Sequence, residues 1–178
     1  TLPKGMETAP NPAEAPKGSV EIIIGFERGV PVALNGEQLD GVTLIERLNV
    51  LGGEYGIGRI DMVENRVVGL KSREVYEGPS AVLLLAAHEE LERIVLDRAT
   101  SNYKRKISQD FANLIYDGLW FGPLREALQA FIDKTQERVT GDVRIRISGG
   151  SALITGRRSP YSMYDEGLAT YSEGDTFD

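Results

Sequence analysis

The chain has 178 residues, a net charge of −7, no cysteine and one histidine, His88. That length suits one domain with a full core. The acidic balance argues against a nucleic-acid partner, which needs a basic face. The absence of cysteine excludes disulfides and thiolate metal sites, and a lone histidine excludes a multi-histidine zinc site. The longest apolar run, Ala81–Ala87, is too short to span a bilayer. No secretory signal pattern is present, so a cytoplasmic protein without a membrane partner is expected. The chain starts at Thr1 rather than methionine and stops at Asp178 with no helix stop, so both ends are expected to be cuts.

Residues 1–19 carry Pro3, Pro10, Pro12 and Pro16 with little apolar content, which predicts an extended connector. The domain proper is expected over 20–178. Val20 to Phe26 reads as a strand, Glu27-Arg28-Gly29 as a turn and Val30 to Leu34 as a returning strand that begins at an edge with Pro31. Asn35-Gly36 is a strong tight-turn signal. Helix one is expected from Thr43 to Leu51, with Thr43 as N-cap, Glu46 completing a capping box and Gly52-Gly53 ending it. A hairpin over Gly58–Pro79 follows. Pro79 opens helix two, expected to run to Arg98, with Glu89 and Arg93 paired one turn apart. His88 reads as a surface or half-buried residue of that helix. Helix three is expected over Ser108–Gly118 and helix four over Pro123–Val139, with Trp120-Phe121 between them as core anchors. A last hairpin alternates Val143, Ile145 and Ile147 with Arg144 and Arg146, turns at Gly149-Gly150 and returns over Ala152–Thr155. The outward arginines are either solvated or face an anion or another subunit. A tyrosine-bearing segment (Tyr161, Tyr164, Tyr171) ends the chain. The pattern is that of an α+β fold: a mixed or antiparallel sheet built from hairpins and packed against three to four helices.

The central hairpin holds four bases (Arg59, Arg66, Lys71, Arg73) and four acids (Asp61, Glu64, Glu74, Glu77) among apolar β-formers. Charges at a partly desolvated sheet end are costly unless paired with each other or with a ligand, and composition leaves both readings open. No glycine-rich phosphate loop, nucleophile elbow or serine–histidine pairing is visible. Asp61 and Glu64, three apart on a strand, point to opposite faces and cannot form a facing acid–base pair.

The run G-I-G-R-I-D-M-V-E-N-R-V-V-G-L-K-S-R-E-V-Y-E-G-P, Gly56–Pro79, closely resembles the signature of the argininosuccinate synthase family. So do Gly29–Gly36, Asp117–Val139 and Gly156–Tyr164, in order and over nearly the whole chain. Family members join citrulline to aspartate. ATP adenylates the ureido oxygen and releases pyrophosphate; the aspartate amine then expels AMP. The resemblance implies the C-terminal half, which completes the citrulline site and builds a tetramer. ATP, with Mg2+, would be bound by an N-terminal nucleotide-binding half absent from this chain, along with the catalytic apparatus, so the chain alone is expected to be inactive. No metal ligand is expected here. The family's citrulline contacts match Glu64 and Tyr76, twelve residues apart. For Glu64 the alternative is a salt bridge to Arg66 or Arg73; for Tyr76 it is a core tyrosine with a satisfied hydroxyl. Arg73 and Lys71 match basic positions of the motif and are expected to support Glu64. The chain departs from the family pattern after Tyr76-Glu77, where Gly78-Pro79-Ser80-Ala81 replaces threonine, proline, glycine, glycine, and the C-terminal arm is expected to be missing. A second reading keeps the fold but makes the chain a non-catalytic oligomerisation or binding module.

Overall fold

The computed structural model describes residues 15–165. Residues 15–19 are irregular; the rest of the expected connector, Tyr171 and the C-terminal end on which the expectation about the arm rests lie outside the described residues. The elements are β1 (Val20–Glu27), β2 (Val30–Leu34), β3 (Glu37–Gln38), α1 (Gly41–Glu54), β4 (Arg59–Asn65), β5 (Lys71–Glu77), α2 (Pro79–Val95), α3 (Arg98–Tyr116), α4 (Pro123–Gln136), β6 (Gly141–Ser148) and β7 (Ser151–Arg158). Five strands form one antiparallel sheet in the order β3-β2-β1-β6-β7, and β4-β5 stands apart as a two-stranded sheet. This is the expected α+β class, with every strand pair antiparallel.

The core follows from period-two alternation. Ile22, Ile24 and Phe26 of β1 and Val143, Ile145 and Ile147 of β6 face one side and are buried. Leu44 and Leu48 of α1 and Leu83, Ala87, Leu91 and Val95 of α2 close over them. Each buried aliphatic side chain of this size stabilises by about 1.5–3 kcal/mol. Arg144 and Arg146 fall on the opposite, open face. Arg146 pairs with Glu21 at 2.8 Å, while Arg144 has no ion-pair partner among the described residues. Pro31 sits where β2 has no second neighbour, because the short β3 pairs only with Ala33 and Leu34. Asn35 and Gly36 make the β2–β3 turn, both with positive φ.

The helix ends differ from expectation for identifiable reasons. Asp40, not Thr43, caps α1. Its carboxylate accepts from the Val42 and Thr43 amides and from the Thr43 hydroxyl, so Thr43 is a donor inside the first turn. Gly52 and Gly53 do not end α1 but lie buried within it. A Cβ at Gly52 would sit 2.9 Å from Pro79 Cβ and 3.1 Å from Leu83 Cδ1, so the glycine is there for the close crossing of α1 and α2. Helix two stops at Val95 rather than Arg98, because Asp97 starts α3 instead: it accepts from the Ala99 and Thr100 amides and the Thr100 hydroxyl. Helix three therefore begins ten residues before Ser108, and its first turns escape periodicity because only Ile107 is buried. Helix four ends at Gln136 rather than Val139, and β7 is longer than expected, running through Arg158.

Trp120 and Phe121 are not core anchors. Trp120 meets Phe111 edge-on at 6.0 Å with the Arg125 guanidinium 5.1 Å from its ring, and Phe121 is 92% exposed. The α3–α4 pair is tied down at its other end by polar groups. His88 Nε2 donates to Gln136 Oε1 (2.9 Å), Gln136 Nε2 donates to Glu92 (2.6 Å), and Lys104 Nζ lies 3.0 Å from the same carboxylate. His88 is thus half-buried, within its expected range, and serves packing between elements. Glu89 and Arg93 pair at 2.9 Å as expected.

Two outcomes test this account. Gly52→Val should destabilise the domain by about 2–3 kcal/mol through overpacking. Urea denaturation showing no loss would disprove a tight crossing. Hydrogen bonds from Thr100 and Ala99 hold the Asp97 carboxyl below the ordinary aspartate range, so the cap is at full strength above that range and is lost as pH falls through the lowered value. Asp97→Ala should lower the melting temperature by roughly 2–4 °C at neutral pH, and the gap from wild type should close in acid.

Candidate substrate-binding site

The β4–β5 hairpin grows from the crossing of α1 and α2. At its root Ile57 and Val75 are buried and the Gly78 amide donates to Gly58 O at 2.9 Å. Gly78 is also the N-cap of α2 and offers no side chain, so Asn49 of α1 accepts from the Ser80 amide at 3.0 Å. At the other end Arg66 N donates to Leu70 O and Gly69 N to Arg66 O, with Gly69 at φ +81. That is a three-residue loop in which glycine takes the left-handed position.

The register, Arg59↔Glu77 through Asn65↔Lys71, sorts the charged residues onto two faces. Ile60, Met62 and Glu64 share one face with Ser72, Glu74 and Tyr76. Asp61, Val63 and Asn65 share the other with Lys71, Arg73 and Val75. Asp61 and Glu64 do point to opposite faces, as expected.

The ion pairs across this hairpin are selective. Arg59 pairs with Glu77 (3.2 Å) and Arg66 with Glu74 (3.2 Å). Arg73 holds Asp61 in a two-pronged contact, one prong at 2.8 Å, which keeps that carboxyl below the ordinary aspartate range. Lys71 Nζ donates to Asn65 Oδ1 at 2.6 Å. Glu64 is the acid that no base of the hairpin meets. It is half-buried, and its Oε2 accepts from the Tyr76 hydroxyl at 2.8 Å. That bond, then burial and the nearby charges of Glu64 and Glu74, pushes the Tyr76 phenol above its ordinary range. Tyr76 is 44% exposed, so it is not a core tyrosine.

The structure therefore brings Glu64 and Tyr76 together and sends both candidate supports elsewhere. Arg73 and Lys71 stand on the opposite face and brace the strands rather than touching Glu64. Neither Arg66 nor Arg73 makes the salt bridge to Glu64 that was the alternative. What remains is an acceptor, Glu64 Oε1, beside a phenol that can donate or accept, above a shelf formed by Ile60 and Met62. Such a pair suits a polar ligand rich in N–H donors. Among the described residues no group of three or more histidine, aspartate and glutamate side chains is placed to hold a metal ion.

One contributor had no local signal in the sequence. Tyr116, the last residue of α3, donates its hydroxyl to Asn65 O at 2.5 Å. Its link to the hairpin spans 51 positions, beyond the reach of any periodicity. Beyond this contact the tip leaves large apolar groups open: Val67, Val68 and Leu70 on the hairpin, and Leu119 and Phe121 after α3.

Residues 3–178 match the family described as the arginosuccinate synthase C-terminal domain. A protein of Chlorobaculum tepidum named argininosuccinate synthase is 57% identical over 167 residues, covering 94% of this chain and 42% of that protein. Its namesake from Symbiobacterium thermophilum is 56% identical over 175 residues, covering 98% of this chain and 44% of the relative. A third, from Dictyoglomus thermophilum, is 59% identical over 156 residues, covering 88% and 39%. The chain thus spans about two-fifths of the length of the relatives it matches, at an identity that leaves no doubt of common descent, and it belongs to the argininosuccinate synthase family as the C-terminal domain.

Proposed function

We propose that this domain completes the citrulline site of an argininosuccinate synthase. The full-length protein would condense citrulline and aspartate with ATP to give argininosuccinate, AMP and pyrophosphate. The observation that carries this reading is the charge arrangement of the hairpin: three of its four acids are matched by bases, and Glu64, half-buried beside Tyr76, is not. A half-buried carboxylate without a cation is costly, and a ligand bearing an ammonium or ureido N–H groups would offset that cost. Citrulline carries both. Tyr76 holds one carboxylate oxygen and leaves the other free, which sets the direction from which a donor can approach.

Glu64 and Tyr76 orient the substrate in this scheme; neither attacks nor transfers a proton. ATP, with Mg2+, and the reacting centre belong to the N-terminal half, outside this chain. The Ile60–Met62 shelf and the open side chains of the hairpin tip are suited to burial against that half or against other subunits of a tetramer, in a cytoplasmic enzyme of arginine biosynthesis.

In the full-length protein, Glu64→Gln should weaken citrulline binding by about ten- to a hundredfold in calorimetric titration, since it removes a charge-assisted acceptor, while ATP binding stays within about twofold. Citrulline binding unchanged in Glu64→Gln would defeat this reading. Arg73→Ala should weaken citrulline by only about two- to threefold, because its partner is Asp61 and its effect on Glu64 passes through strand geometry. The isolated chain should catalyse no ATP–pyrophosphate exchange; measurable exchange would place nucleotide chemistry in this domain after all.

A further inference from the structure

The β4–β5 hairpin has only one lateral partner per strand, and a lone two-stranded hairpin is marginal in water. It is anchored at its root, but Glu64 lies six residues from that root, near the tip. Something must hold the tip if Glu64 is to keep one position. Just beyond the ladder Arg66 N donates to Leu70 O, as Gly78 N donates to Gly58 O at the root, which fixes the alternation of bonded and non-bonded pairs between them. By the alternation of antiparallel pairing, Asn65 and Lys71 form the next, non-bonded pair, whose carbonyls point outward along the edge. The Asn65 carbonyl, one residue after Glu64, is therefore an unpaired acceptor, and the Tyr116 hydroxyl fills it at 2.5 Å.

Tyr116 is held in place by the way α3 stops. Leu119 N donates to Leu114 O at 2.8 Å and Gly118 takes φ +72, so the helix ends in a tight left-handed cap immediately after Tyr116. The backbone of Tyr116 is thus fixed by α3, while its hydroxyl reaches 51 residues back along the chain. Among the described residues this is the side-chain hydrogen bond that joins α3 to the hairpin. It acts on the strand edge rather than on Glu64 itself, so it sets the carboxylate's position without consuming an acceptor oxygen.

We infer that Tyr116 is a positioning residue for the substrate: its hydroxyl pins the β4 edge at Asn65 and thereby fixes Glu64 against Tyr76 for citrulline. The inference rests on the proposed role of Glu64. The test uses the full-length protein and compares Tyr116→Phe and Glu64→Gln with wild type. Tyr116→Phe removes one oxygen from a ring that is half exposed, so packing and folding are preserved. The expected result is a citrulline KM raised about five- to tenfold, roughly the loss of one hydrogen bond. The kcat and the KM values for ATP and aspartate should stay within about twofold. Amide exchange at residues 64–66 should accelerate in the same variant. A citrulline KM unmoved by Tyr116→Phe but raised by Glu64→Gln overturns the pinning role alone. A uniform change in all three KM values also overturns it, since that would mark a general structural role. A citrulline KM unmoved by Glu64→Gln removes the site reading and this inference together.

Discussion

The close crossing of α1 and α2 at Gly52 is the constraint on which the rest depends. With no side chain at that position, Pro79 and Leu83 come within contact distance of the α1 backbone. The crossing closes both helices over the sheet. It also brings the end of α1 and the start of α2 side by side, so the chain between them must leave and return at nearly one point. A two-stranded hairpin is the short way to do so, and the Gly58–Gly78 hydrogen bond closes its neck. The candidate site is thus a consequence of helix packing, projected away from the core by two strands.

Such a projection has little hydrophobic support, and the domain compensates with charge and hydrogen bonding. The Arg73–Asp61 and Lys71–Asn65 contacts brace the face away from Glu64, and Arg66 neutralises Glu74 on its own side. Exposed pairs of this kind contribute little each, but together they hold the strands in register. They also leave one acid uncommitted. A hairpin built only for stability has no reason to keep a half-buried carboxylate without a cation. Under the proposed function that acid receives a donor-rich ligand, and the remaining charges are occupied so that they do not compete.

The α3–α4 pair reaches the same hairpin. Only Ile107 and Leu128 are buried hydrophobic side chains in these two helices, with Gln136 the buried polar one. The pair is fastened to α2 through the His88–Gln136–Glu92–Lys104 group rather than through a broad apolar seam. Its far end carries Tyr116 to the hairpin edge. A polar fastening at one end and a single hydroxyl at the other let this layer reach the hairpin tip while the intervening aromatics remain open to further contacts.

Much was legible in the sequence because it depends on neighbours along the chain. Alternation marked β1 and β6, the Asn35-Gly36 turn and Pro79 marked boundaries, and the run Gly56–Pro79 pointed to the family and to Glu64 and Tyr76. Errors fell where two local signals competed. Gly52-Gly53 reads as a helix stop unless another helix presses there, and Asp40 and Asp97 carry no distinct signal because capping is a matter of which oxygen reaches which amide. What the sequence by itself determined was the longer strands, the α+β class built from hairpins and the identity of the charged hairpin; the two-residue β3 carried no signal of its own. Only the tertiary structure decided which base meets which acid, and hence that Glu64 is the acid of the hairpin left without a base, because pairing depends on register, face and diagonal reach across strands. It alone brought Tyr116 to Asn65, since a contact between residues 51 positions apart is made by packing and leaves no periodic trace in the chain.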